Sequence, residues 1–160
     1  MTNQNKIGEM GEEFAIASFK QRGFQAFSNP NKVDPLHDIF VEGLGGAQVK
    51  TQPPYYKQRA VSIKRGSFER YSTNKVPVIF ITYALSGYAS EKYDYINHKM
   101  LLVDLNKCIA FEEKSHNYDK YVIRLFVDGY KWAPGVIVLH DKINMVFSRK
   151  LTELSTSEYA

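Results

Sequence analysis

Residues 37–52 read HDIFVEGLGGAQVKTQ, and the fold turns on them. Two short apolar runs, Ile39-Phe40-Val41 and Ala47-Gln48-Val49, flank a glycine-rich turn, Gly43-Leu44-Gly45-Gly46. β-Branched and aromatic residues beside such punctuation spell a β-hairpin. Side chains alternate along a strand, so Gln48 and Lys50 share one face and Val49 takes the other. A tight turn at 43–46 returns Asp38 to a position opposite Lys50, within one residue of register. An acid, an amide and an ammonium then share one patch. An acid and a lysine so placed suit a divalent cation and a phosphate beside it. Taken alone, the same stretch also suits an ordinary surface hairpin with a polar, wet face.

The residues upstream shift that balance. Residues 5–22 have helical periodicity, with Asn3 or Asn5 as the N-cap. At about 100° per residue, Ile7, Met10, Gly11, Phe14, Ala15, Ala17 and Ser18 gather on one broad face. Lys6, Glu9, Glu13 and Lys20 gather on the other, where a solvated role suffices for both acids. Glu12 belongs to neither group and falls at the edge of the buried stripe, between Phe19 and Ile16. It is the acid aimed at whatever the helix packs against, and the same position also suits a boundary carboxylate with its stem on apolar surface.

Gly23 reads as the helix C-cap, and Phe24-Gln25-Ala26-Phe27 alternates as a first strand. Ser28-Asn29-Pro30-Asn31 is a turn cluster, and Asp34-Pro35 keeps the chain non-helical up to the hairpin. Beyond Pro53-Pro54, residues 55–75 carry Lys57, Arg59, Lys64, Arg65, Arg70 and Lys75 against one acid, Glu69, with Tyr55, Tyr56, Phe68 and Tyr71 interleaved. Cations among aromatics suit a phosphate-backbone groove, so these six are the candidate DNA-binding residues. Residues 67–74 suit a short helix within this segment. The run from Val76 to Tyr83 is the most apolar in the chain and reads as a buried strand with Pro77 near its start. The tyrosine-rich loop at 83–95 is a second candidate DNA-reading element. Residues 100–103, 121–127, 135–139 and 144–148 are further strands, and the tail from Thr152 is frayed.

Composition excludes several classes. With 160 residues, 44% hydrophobic and 14% aromatic, the chain fits one globular domain over 1–160. Its core is expected over about 5–104 and a strand-rich extension over 105–160. A net charge of +4 and a pI of about 9.0 lean toward a polyanionic partner. The lone Cys108 rules out a disulfide framework and a cysteine-rich zinc site, and suits a cytoplasmic setting. No apolar run of about 18 residues is present to span a membrane, and MTNQNKIGEM lacks the apolar stretch of a signal peptide. His37, His98, His116 and His140 have no metal-ligand spacing; His37 adjoins Asp38 at the edge of the patch. Gly43-Leu44-Gly45-Gly46 is neither a Walker loop nor a dinucleotide fingerprint, and spacing alone assembles no Ser/His/Asp set.

Residues 8–52 resemble the PD-(D/E)XK nuclease superfamily. GEMGEEFAIASFKQRGF is similar to the G-x-x-G-E-x-x-A…G-[FY] helix of its Holliday-junction-resolvase-like members, with Gly8, Gly11, Glu12, Ala15, Gly23 and Phe24 in place. Asp38 matches the motif aspartate, with His37 where proline is usual. Gln48-Val49-Lys50 matches the (D/E)-x-K tripeptide with Gln in place of the acid, as in small intron-encoded homing endonucleases. The resemblance implies an α/β fold with a central mixed β-sheet flanked by helices, a restriction-endonuclease-like core. It implies Mg²⁺-dependent hydrolysis of double-stranded DNA, with Mn²⁺ as a substitute, by a prokaryotic, archaeal or phage-encoded protein. By that likeness Glu12, Asp38, the Val49 backbone carbonyl and Gln48 hold the metal, and Lys50 orients or deprotonates the attacking water. Sequence-specific homing cleavage, junction resolution and a weakened DNA-binding relative are the alternatives. Two strands need two sites, so a homodimer or homotetramer is expected.

Overall fold

The most apolar stretch of the chain forms strand β5 (Val78–Thr82), and all five residues are buried. The reason is visible in the partners of alternate side chains. Val78 and Phe80 enter one apolar cluster, Ile79 and Ile81 another, so β5 is the shared wall of two cores. This computed structural model describes residues 3–53, 59–83, 99–116, 119–129 and 131–140.

Around β5 the described residues build an α/β fold on a mixed six-stranded sheet. Its order is β1 (Ala26–Ser28), β2 (Ile39–Val41), β3 (Gly45–Gln52), β5, β6 (Met100–Val103) and β11 (Val136–His140). β3 and β5 run parallel, with Lys50 level with Phe80, and every other pairing is antiparallel. Helix α1 (Asn3–Gln21) lies on one face, where Ala15 and Phe19 join Ile39, Val41, Ala47, Val49, Ile79 and Ile81. Gly11 marks its crossing of β3. A Cβ at that position would sit 1.7 Å from Thr51 Oγ1, so only glycine lets the backbone come this close.

The opposite face departs from the expectation of flanking helices. It is covered by a second, three-stranded antiparallel sheet of β4 (Ala60–Lys64), β8 (Asp119–Arg124) and β7 (Ala110–Lys114), with α2 (Arg65–Thr73) beside it. Val61, Ile63 and Ile123 from this sheet and Tyr71 from α2 pack on Phe80, Leu101 and Val103. A two-strand pairing of β9 (Phe126–Val127) with β10 (Lys131–Trp132) closes its end. β4 was hidden in the sequence by the cations around it, although its alternate Val61 and Ile63 are the residues that pack inward.

Several boundaries move. The first strand begins at Ala26, because Phe24 packs edge-on against Phe19 at the end of α1. Ala17, placed on the apolar face of α1, is exposed. Pairing crosses residue 104 in both sheets: β11 completes the central one, and β8 holds β4. The strand expected at 144–148, most of the 83–95 loop, His98 and the tail lie outside the described residues.

Candidate active site

The hairpin forms as its residues demand, with Glu42, Gly43 and Leu44 between β2 and β3 and positive φ at Gly43 and Gly45. Its register, however, corrects the position of Asp38. Ile39 is the register partner of Ala47, and the Asp38 N–H also donates to the Ala47 carbonyl, at 2.8 Å. Two residues set against one is the count of a β-bulge, which bends a strand and re-aims a side chain. Asp38 therefore does not stand opposite Lys50. Instead its Oδ2 accepts the Val49 N–H at 3.0 Å, and the carboxylate takes the ladder position a backbone carbonyl would occupy. The N–H and carbonyl of one strand residue face the same neighbour, so the Val49 carbonyl points to this edge as well.

The loop before Asp38 is tied down by Asn29, which is 4% exposed. Its amide nitrogen donates to Asp34 Oδ2 at 3.0 Å and to the His37 carbonyl at 2.8 Å, while its oxygen accepts the Asn31 N–H. Asp34 also accepts the Leu36 N–H and pairs with His37 Nδ1 at 3.1 Å. The Leu36 N–H first, and His37 after it, hold the Asp34 carboxyl below its usual range. His37 thus serves the loop, with its ring against Gly46 and Phe40.

Glu12 reaches this edge from α1, and the sequence placed it correctly: Glu9 and Glu13 are exposed and Glu12 is half-buried. Burial, then the charge of Asp38, pushes the Glu12 carboxyl up to about 7, against the pull of Lys32. Burial likewise raises Asp38, opposed by the Val49 N–H, Lys50 and Lys32. Lys50 is lowered by burial, with Asp38 and Glu12 working against that shift and Lys64 and Arg70 adding to it. Its ammonium sits 5.7 Å from the ring centre of Tyr71. Glu12, Asp38 and Lys50 thus form one electrostatic unit drawn from a helix, a strand entry and a central strand.

Gln48 is 5% exposed, and its amide nitrogen approaches the Pro35 carbonyl at 3.5 Å. Among the described residues no group of three or more His, Cys, Asp and Glu side chains could hold a metal. Glu12 and Asp38 are two. Their carboxyls, both raised by burial, the Val49 carbonyl and the Gln48 amide oxygen make an all-oxygen set, which fits a hard divalent cation.

The expected DNA-binding residues divide. Lys64, Arg65 and Lys50 line one cleft of about 700 Å³. Arg65 is occupied there, bridging Asp119 at 3.0 Å, Glu112, and Glu69 at 3.7 Å. Arg59 lies over Phe126 and donates to the Gly129 carbonyl. Arg70 is exposed on α2, near enough to Lys50 to lower it. Lys75 lines a separate cavity of about 610 Å³ with Lys107 and Leu102, and Lys57 lies outside the described residues. Sequence reasoning missed Lys32, whose ammonium donates to Ser28 Oγ and whose charge reaches both carboxylates. It missed Tyr71 as the neighbour of Lys50 as well. Only the path of the loop and the packing of α2 bring these two in.

No family model, no curated protein and no solved structure matches the chain. Among the described residues, no helix is long and apolar enough to cross a membrane.

Proposed function

We propose that this protein is a metal-dependent endodeoxyribonuclease that hydrolyses phosphodiester bonds of double-stranded DNA, built on a restriction-endonuclease-like core. The observation that carries this reading is the convergence of Glu12, Asp38 and Lys50 in one coupled, half-buried cluster. A half-buried carboxyl raised by burial and by a neighbouring carboxylate is a poor arrangement by itself and a good one around a cation. Glu12, Asp38, the Val49 carbonyl and the Gln48 oxygen would hold Mg²⁺, which when bound supplies Lewis-acid polarisation of the phosphate and acidifies water. The chain's own residues do the rest. The Val49 N–H fixes the Asp38 carboxylate, leaving its second oxygen for a ligand. Lys50 would orient the attacking water or take its proton, and as an ammonium it would offset charge gathering on the phosphate. The attacking water oxygen forms a bond to phosphorus, the bond to the leaving sugar oxygen breaks, and that oxygen takes a proton from solvent. A sequence-specific homing role and a homodimer or larger assembly belong to the same proposal.

A weakened DNA-binding relative is the second reading, favoured by the Gln48 amide being engaged with Pro35 and adding no charge to the pocket. Purified protein and its Asp38→Asn variant, incubated with a linear duplex and with a four-way junction, with and without Mg²⁺, separate the readings. Mg²⁺-dependent cutting by the wild type and none by the variant is the expected result. DNA binding without cleavage of either substrate would favour the weakened relative, and equal cutting by both proteins would overturn the assignment.

A further inference from the structure

We propose that the cavity bounded by the start of β5, the end of β6 and the start of β11 binds an organic anion that carries an alkyl chain. Its head group would sit on Lys75 and Lys107, and its chain along Leu102 and Ile137. The site stands apart from the nuclease reading, since it shares no residue with the cluster of Glu12, Asp38 and Lys50.

The first observation is a lysine where the backbone asks for glycine. At the end of α2 the Val76 N–H returns to the Tyr71 carbonyl at 2.9 Å, and the Lys75 N–H to the Ser72 carbonyl at 3.2 Å. Lys75, between the cap Asn74 and Val76, is left-handed, with φ of 55°. Glycine is usual at that position, because a Cβ costs energy there. This chain places a lysine instead, and Lys75 lines the cavity. Lys107 lines it from the turn after β6. The two turns are clasped together: Ser72 Oγ donates to Asn106 Oδ1 at 2.9 Å, and Asn106 Nδ2 donates to the Ser72 carbonyl at 3.2 Å. Among the described residues neither ammonium has an ion-pair or hydrogen-bond partner. The lining acid, Asp104, is turned into its own loop, where Oδ1 accepts the Asn106 N–H at 2.9 Å. Two cations against one such acid leave the cavity positive.

The second observation is the floor. The cavity holds about 610 Å³, and among the described residues its apolar lining, Leu44, Val76, Pro77, Leu102, Val103 and Ile137, is aliphatic throughout. Leu102 and Ile137 are direct partners in the β6–β11 ladder, and Ile137 is 57% exposed. Without an aromatic side chain in that lining a nucleobase has nothing to stack on, whereas an alkyl chain buries area against aliphatic groups. One wall is backbone and fixed. The Asp104 N–H donates to the Gly135 carbonyl at 2.8 Å, and a Cβ on Gly135 would come within 3.0 Å of the Asp104 carbonyl oxygen. A cation pair beside an aliphatic floor complements a negative head on an alkyl chain. Ammonium groups are point charges that accept oxygens from several directions, so a carboxylate and a phosphate monoester both suit them.

The test is calorimetric titration of the full chain with sodium decanoate and with decyl phosphate, each below its micelle concentration. Wild type is compared with Lys75→Gly, with Lys107→Gln and, as a control, with Lys20→Gln on the exposed side of α1. Both anions should bind wild type at one saturable site, and the tighter one identifies the head group. Octanoate, two methylenes shorter, should bind up to about fifteenfold more weakly than decanoate. Decyltrimethylammonium, with the same chain and the opposite charge, should not bind. Each cavity variant should weaken decanoate about tenfold or more, while Lys20→Gln matches wild type. Lys75→Gly also relieves the left-handed backbone, so without ligand it should melt no lower than wild type, which guards against misfolding. Equal affinity for octanoate and decanoate, binding of the cation, or full affinity in either cavity variant would overturn the proposal. So would absence of binding; self-association by light scattering that Ile137→Glu abolishes would then give this face to a second copy of the chain.

Discussion

Replacing Glu12 by Gln should raise stability and remove activity together. Its carboxyl titrates at about 7 instead of 4.5, first because it is buried and next because Asp38 lies beside it. Below pH 4.5 the folded and unfolded chains both carry the proton, and the site has no charge to bear. Between 4.5 and 7 the unfolded chain ionises while the folded chain keeps its proton, so stability falls as pH rises. Above 7 the whole penalty is present. At 1.36 kcal/mol per pH unit the upper bound is about 3.4 kcal/mol, and screening of a half-exposed group reduces it to roughly 1.7 kcal/mol. For a chain of this size that is about 3–7 °C in Tm. Melts followed by circular dichroism in metal-free buffer should therefore place Glu12→Gln about 3–7 °C above wild type at pH 8, and close to it at pH 5. Exposed Glu9→Gln should match wild type at both. Added Mg²⁺ should narrow the pH 8 gap by stabilising the wild type alone, while cleavage by Glu12→Gln stays impaired. A Glu12→Gln protein that melts below wild type at pH 8, or shifts equally at both pH values, would refute the reasoning.

Asp38→Asn keeps an oxygen for the Val49 N–H, so a urea melt should change by less than about 1 kcal/mol, whereas cleavage should drop at least about 100-fold with DNA affinity in metal-free buffer retained. Gly11→Ala should cost about 1–3 kcal/mol of overpacking against Thr51, less about 1 kcal/mol of gained helix propensity. A double-mutant cycle with Thr51→Gly should then show coupling by denaturant titration, and simple additivity would contradict the close approach. Gln52→Ala strips both partners from the Ser62 backbone, the side-chain oxygen on its N–H and the side-chain nitrogen on its carbonyl, and should cost about 1–3 kcal/mol in the same assay; a neutral result would mean that solvent replaces them.

Part of this architecture was legible in the sequence. The α1 stripe, the hairpin and β5 carry strong periodic or continuous apolar signals, and Glu12 could be told from Glu9 and Glu13 by angle alone. The position of Asp38 could not, because a β-bulge is a backbone decision that no side chain announces. The stretch that forms β4 reads as part of a phosphate-backbone groove, since the four charges at 57–65 draw attention from Val61 and Ile63. β7, with sequence AFEEK, has little strand propensity of its own and forms because β8 offers it a ladder. Arg65 illustrates the limit of counting charge: its partners Glu112 and Asp119 come from distant parts of the chain. Asn29 read as turn punctuation, and only the fold shows it buried and holding the loop that delivers Asp38.

The pairing of β4 with β8 also shapes how this chain emerges from a ribosome. β4 is complete at Lys64, but its partner strand starts only at Asp119. At about 5–20 residues per second, the wait is on the order of seconds. During that interval β3, β5 and β6 can assemble, yet the face formed by Phe80, Leu101 and Val103 has no Ile123 to cover it. A nascent chain at this stage presents apolar surface and an unpaired strand edge, the conditions under which neighbouring copies associate. Lys64, at the end of the waiting strand, is then a charged gatekeeper against edge-to-edge pairing.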